Sequence, residues 1–213
     1  YVKLETSSKC LLGSGKFATS FTITPKYIYS DRKKFLRKDG TFEMDMGHIG
    51  RGPGEYIRSF SVDIDTLTYN YFVLTNSYNL LTYSDNNELI SQIRIEDASK
   101  TSIKYLYNGK MALHREACYG GNPYSGLQII EMSEGISQAE FGCLEFEDKQ
   151  STIGKSGNFY IGIGGICMWE NKAINYYYDP ICDTIYELST NRLKPFAIMD
   201  RGNYKPSYEI MLD

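Results

Sequence analysis

Apolar and polar residues alternate in short runs along this chain, and turn-forming residues close almost every run. Phe60-Ser61-Val62-Asp63-Ile64-Asp65 alternates strictly, while Tyr27-Ile28-Tyr29, Tyr71-Phe72-Val73-Leu74 and Leu80-Leu81-Thr82-Tyr83 are apolar runs of strand length. A period of two sends successive side chains to opposite faces of a pleated sheet, and a helical period is hard to find anywhere. The punctuation is Gly, Asn, Asp and Pro, as in Lys38-Asp39-Gly40-Thr41, Thr75-Asn76-Ser77-Tyr78-Asn79, Ser84-Asp85-Asn86-Asn87, Tyr107-Asn108-Gly109-Lys110 and Tyr119-Gly120-Gly121-Asn122-Pro123. Together these predict an all-β protein.

The runs group into four units, at about 1–46, 57–96, 100–148 and 150–200. In the fourth, Ser156-Gly157-Asn158, Trp169-Glu170-Asn171 and Asp179-Pro180-Ile181-Cys182-Asp183 read as turns between strands. A repeat of roughly 40–50 residues with about four strands each is the blade period of a β-propeller. One blade exposes two apolar faces and is stable only between neighbours. The sequence therefore predicts one β-propeller domain over 1–213, with four to five blades' worth of chain and a tail, Tyr204–Asp213, that reads as the start of another. Gly50-Arg51-Gly52-Pro53-Gly54-Glu55-Tyr56 separates the first two units. Its glycines are expected to supply positive φ and close strand approach, and Pro53 to stiffen the crossing.

Composition sharpens this picture in a few places. A chain of 213 residues, 42% hydrophobic, can bury a core, and 19 Tyr against 10 Phe suit half-buried strands. The net charge of -3 gives no field for nucleic acid or an anionic membrane. The densest basic run, Arg32-Lys33-Lys34 with Arg37-Lys38, reads as a solvated strand and turn face, with a local anion or partner patch as the rival reading. Cys10, Cys118, Cys143, Cys167 and Cys182 stand singly. Their spacing offers no zinc pattern, their odd number leaves at least one thiol unpaired, and their apolar neighbours suggest small buried hydrophobes. No apolar run is long enough to span a bilayer as a helix. The chain opens at Tyr1 without Met, which reads as a trimmed or processed form, so the absent leader does not argue for the cytoplasm.

Candidate chemistry is sparse. The Gly50–Glu55 loop lacks the Lys-Ser/Thr and the following helix that a phosphate cradle needs, and Glu55 stands where a cation would help. Arg51 and Glu55 either pair across the loop or face a central funnel. His48 reads as an exposed loop residue and His114 as a strand residue. Glu55, Asp63, Asn76 and Asn175 are of the right type for an axial cation, but no spacing selects them. Ser14 lies in Gly13-Ser14-Gly15, too short for a nucleophile elbow. Trp169 with Tyr176-Tyr177-Tyr178 offers an aromatic platform for a sugar or peptide, on one face only, because Tyr177 points away from its two neighbours.

Leu4-Glu5-Thr6, the Lys38-Asp39-Gly40 turn, Gly50 to Tyr56, Val62-Asp63-Ile64-Asp65 and the later Asp183-Thr184-Ile185-Tyr186 occur in an order that resembles the six-bladed β-propeller proteins abundant in Bacteroidetes, described as NHL-like or TolB-like. Two departures stand out: the first unit is tight between Tyr29 and Asp39, and members of that family continue well past the equivalent of Asp213. The resemblance implies an exported protein, periplasmic or at the cell surface and commonly a lipoprotein, whose lipid anchor would lie outside this chain. It supplies no catalytic residue. The expected function is non-catalytic binding or scaffolding of a peptide, glycan or protein partner, with Arg51, Glu55, Tyr56 and Trp169 as ligand contacts and no nucleic acid. The alternatives are a metal-dependent hydrolase or lyase with a divalent cation such as calcium at the axis, and a structural fragment that assembles with other chains.

Overall fold

The computed structural model describes residues 3–5, 21–30, 32–95, 100–115, 124–145, 168–178, 184–200 and 202. Four sheets of four consecutive strands are present, each in simple meander order. The first holds β1 (Phe21–Ile23), β2 (Tyr27–Ser30), β3 (Lys33–Leu36) and β4 (Phe42–Asp45). A short parallel pair, β5 (His48–Ile49) and β6 (Glu55–Tyr56), follows. The second sheet holds β7 (Ser59–Ile64), β8 (Tyr71–Thr75), β9 (Asn79–Tyr83) and β10 (Leu89–Arg94). The third holds β11 (Lys100–Tyr105), β12 (Lys110–Arg115), β13 (Tyr124–Glu131) and β14 (Ile136–Glu145), and the fourth β15 (Met168–Asn171), β16 (Ile174–Tyr178), β17 (Thr184–Leu188) and β18 (Leu193–Ile198). These are four blades of a β-propeller, and they fall on the four units read from the hydrophobic pattern.

The chain divides into two compact units, residues 1–92 and 93–213. In the first, Tyr27 and Tyr29 of blade one pack with Ile64, Tyr71, Val73, Leu81 and Tyr83 of blade two, and Met46 and Tyr56 of the connecting loop join the same core. The other face of blade one buries Ile28 and Phe35 against Leu4 and Phe42. The Leu4-Glu5 segment is bound to the Asp39-Gly40 turn. The Glu5 N–H donates to the Gly40 carbonyl at 2.9 Å, and the Glu5 carboxylate accepts from the Phe42 N–H at 2.9 Å. Gly40 sits at φ +77 with the Lys3 backbone where a Cβ would be, so only glycine fits that turn.

All five residues of β8 are buried, in line with its apolar run. A central strand of a blade is covered on both faces, and its pattern becomes a continuous apolar run. The basic run at 32–38 is not a solvated face throughout. It contains β3, and within it Lys34 is buried, ion-paired with Asp85 and 3.4 Å from Glu43. Its Nζ also lies 3.9 Å from the centre of the Tyr27 ring.

In the second unit, blade three contributes Leu106, Ala112, Leu127 and Ile129 and blade four Met168, Tyr177 and Leu188 to one core cluster. Trp169-Glu170-Asn171 is strand β15 rather than a turn. The reversal comes later, at Lys172 and Ala173, both in the left-handed region (φ +50 and +62). That is the geometry of a two-residue hairpin turn, formed here without the Asn-Gly signature that would have marked it. Thr184-Ile185-Tyr186 lies in β17, the third strand of blade four and not the entry to a following blade, while Asp183 lies outside the described residues. Cys143 falls in β14. Cys10, Ser14, Cys118, Cys167, Cys182, the turns read at 119–123, 156–158 and 179–183, and the tail from Tyr204 lie outside the described residues. Among the described residues, no helix is long and apolar enough to cross a membrane.

Candidate functional site

The loop from Gly47 to Arg58 is fixed by hydrogen bonds to buried side chains. The Gly47 N–H reaches the Tyr71 hydroxyl at 2.6 Å and Asn87 Oδ1 at 2.7 Å, and the Tyr71 hydroxyl itself donates to Asn87. Tyr56 donates its hydroxyl to the Met46 carbonyl at 2.9 Å, and Tyr83 donates to the Gly54 carbonyl. The Gly54 N–H reaches Gln92 Oε1 at 3.3 Å. Within the loop, Glu55 N–H donates to the Gly52 carbonyl at 3.0 Å and Gly50 N–H to the Tyr56 carbonyl at 3.2 Å. Burial pushes the ionisation of Tyr56 and Tyr71 upward and raises that of Tyr83 to about 12, which keeps these hydroxyls protonated and able to donate.

The three glycines of the motif do different things. Only Gly54 takes a left-handed φ, +71. At Gly50 a Cβ would meet the carboxylate end of the Glu55 side chain, which would have to swing out of its place on the loop. That carboxylate is turned back onto the loop and accepts from the Gly52 N–H at 2.7 Å. Glu55 is therefore a loop brace, and Arg51 is left exposed with no ion-pair partner among the described residues. Tyr56 is buried, its ring in the core and the Arg32 guanidinium 5.9 Å from the ring centre. Of the predicted loop contacts, Arg51 faces solvent with its charge uncommitted, while Glu55 and Tyr56 hold the backbone beneath it.

Trp169 lies in the second unit, opposite Tyr176 in the β15–β16 pairing, with the two rings stacked at 5.6 Å and 18°. Phe196 of β18 meets Tyr176 edge-on at 5.0 Å. Tyr177 points to the other face, into the core shared with blade three, as the alternation required. His48 is exposed with Nε2 3.0 Å from the Asn87 carbonyl, and His114 is buried in β12 with Nδ1 3.3 Å from the Tyr177 hydroxyl. Among the described residues no group of three or more His, Cys, Asp or Glu is placed to hold a metal ion. Of the four oxygen-bearing residues considered for an axial cation, Asn175 is buried with no hydrogen-bond partner for Oδ1 among the described residues, Asn76 is exposed in the turn after β8, and Asp63 lies in β7.

The residues that sequence reasoning missed are Tyr71, Tyr83 and Asn87, which fix the loop from 24 to 40 positions away. No local signal marks them; each is an ordinary strand or turn residue until the blades pack.

The family described as "Domain of unknown function (DUF4934)" matches residues 1–213. Among solved structures, a candidate exported protein of Bacteroides fragilis is similar with a TM-score of 0.65 and 17% identity, over 93% of this chain and 54% of that one. A member of the DUF4221 family from Bacteroides vulgatus is similar with a TM-score of 0.56 and 9% identity, over 87% of this chain and 59% of that one. At such identities the likeness is one of fold. The chain thus spans little more than half the length of the solved structures it matches. None of the curated proteins compared matches it.

Proposed function

This chain belongs to the DUF4934 family, and from that premise we propose that it is part of an exported, non-catalytic β-propeller that binds a peptide, glycan or protein partner. The observation that carries the reading is the uncommitted Arg51 on a braced backbone. A guanidinium without an internal carboxylate offers paired donors to an anionic or carbonyl-rich ligand, and a loop already fixed loses little freedom when it binds. Glu55 and Tyr56 serve this site by holding its shape, and Trp169 with Tyr176 gives blade four a stacking surface of its own.

Export follows the description of the similar Bacteroides fragilis protein and the motif order of the Bacteroidetes propellers. The proposed location is the periplasm or cell surface, with a lipid anchor outside this sequence. The proposed whole is one domain of six blades, four of them supplied here; the solved neighbours are longer than this chain, which covers 54% and 59% of them.

The test is to probe glycan and peptide arrays with the labelled wild-type protein and with Arg51→Ala. Discrete hits that weaken about tenfold in the variant, roughly 1.4 kcal/mol, at an unchanged melting temperature are the expected result. A wild-type protein that binds nothing on either array overturns the reading. Thermal melts with and without calcium check the rival: a melt raised by calcium would put the metal-dependent hydrolase or lyase ahead.

A further inference from the structure

Each blade ends in an outermost strand whose outer backbone edge is paired by no strand of the described residues. Such edges recruit other chains unless proline, lysine, inward charge, bulges or short length guard them. β4 has four residues, carries Glu43 and Asp45, and pairs through a register shift between Lys34 and Phe35. β14 carries Glu140 and Glu145 and pairs with two register shifts. β18 carries Lys194 and Pro195, with a shift between Ile185 and Tyr186. β10 reads Leu-Ile-Ser-Gln-Ile-Arg and has no proline, lysine or carboxylate. Its first two side chains, Leu89 and Ile90, are 41% and 56% exposed.

The flank of this strand is built by the loop described above, within the first unit. A Cβ on Gly54 would stand 2.5 Å from Leu89 Cδ2, so loop and strand are in contact there. The same stretch exposes Ile49 (73%) and Ile57 (52%), together with Arg51 and Arg58, neither of which has an ion-pair partner among the described residues. Glu55 is committed to the Gly52 amide and Asp45 to Lys33 at 2.5 Å, while Glu88 at the head of the strand offsets one of the two arginines. The surface is apolar, with a basic excess.

We propose that β10 accepts an extended segment of a partner protein as a fifth strand of blade two, with the segment's apolar side chains on Leu89, Ile90, Ile49 and Ile57 and its carboxylates on Arg51 and Arg58. This rests on the binding-module reading and names its partner chemistry: an acidic, apolar, extended peptide. Main-chain hydrogen bonds to the open edge supply affinity, and alternate side chains supply selectivity.

The probe is a labelled peptide of repeating Val-Val-Glu-Glu, which puts both residue types on each face of a strand, followed by fluorescence anisotropy against one of repeating Val-Val-Lys-Lys. The Val–Glu peptide binds, the Val–Lys peptide does not, and affinity falls as salt rises. Ile90→Lys adds the missing guard and Arg51→Glu reverses the charge; each weakens binding tenfold or more with an unchanged melting temperature. Hydrogen exchange at Leu89–Gln92 slows in the complex. Equal binding of the two peptides, or failure of the Val–Glu peptide to bind, overturns the proposal. Binding that survives both substitutions removes β10 as the site, while array hits by the wild-type protein would still uphold the binding-module reading. Concentration-dependent dimerisation abolished by Ile90→Lys would make the edge a seam between two copies and overturn the proposal as well.

Discussion

Tyr83, buried at the end of β9, donates its hydroxyl hydrogen to the carbonyl oxygen of Gly54, 29 residues earlier in the chain. Its ring stacks on that of Tyr71 at 5.0 Å, and the Tyr71 hydroxyl holds the loop in the opposite sense, accepting from the Gly47 N–H. The two tyrosines thus place apolar rings in the core and polar tips under the loop. Tyr83→Phe keeps the ring and removes the donor, leaving a buried carbonyl short of a partner. The expected loss is about 1–3 kcal/mol of unfolding free energy, read from urea titrations. A variant as stable as the parent would mean that the hydroxyl does not brace the loop.

The glycines of the motif should not respond alike to substitution. Gly54→Ala meets both a left-handed φ of +71 and Leu89, so it is expected to destabilise by about 1–3 kcal/mol. Gly52→Ala meets only the end of the Glu55 side chain at 3.1 Å, with no positive φ, and is expected to lower the melting temperature far less. Equal shifts for the two would contradict the conformational argument.

Lys34 joins β3 to the turn after β9 through Asp85, whose second oxygen accepts from the Tyr27 hydroxyl at 3.2 Å. Removing one partner of a buried pair costs about 3–5 kcal/mol. Asp85 is 26% exposed and keeps Lys26 at 3.9 Å, so Lys34→Met belongs at the low end, about 3 kcal/mol. Chemical denaturation measures it. A near-neutral variant would show that the ammonium gains nothing from Asp85 beyond what water supplies.

The blades were legible because their cause is local. Period-two runs and Gly, Asn and Asp turns specify hairpins before any tertiary contact forms, and the four units appear in their predicted places. What was not legible depends on packing at a distance. Lys34 reads as a surface charge until Asp85, 51 residues on, arrives beside it. Trp169-Glu170-Asn171 reads as a turn because Asn often makes one, yet pairing with Ile174, Asn175 and Tyr176 draws all three into a strand. The candidate site was half visible: Arg51 could be named from its motif, while the tyrosines that hold its loop carry no mark in the sequence.

Alkali should unfold the first unit through the same tyrosines. Burial favours the neutral phenol, raising Tyr83 from 10.0 to about 12 and displacing Tyr71 and Tyr56 in the same direction. An unfolded tyrosine ionises near pH 10 and the folded Tyr83 near 12, so the folded state holds its proton where the unfolded state has released it. The stabilisation is fully present below about pH 10 and is lost as pH climbs toward about 12, because each proton released only on unfolding favours the unfolded chain. Urea unfolding across that window, with tyrosinate absorbance followed in parallel, is expected to show stability falling steeply as ionisation and unfolding coincide. Tyr83→Phe should flatten that fall in proportion to the one group it removes. Stability that stays level across the window, or tyrosinate that forms well before unfolding, would place these hydroxyls in water and remove the brace from beneath Arg51.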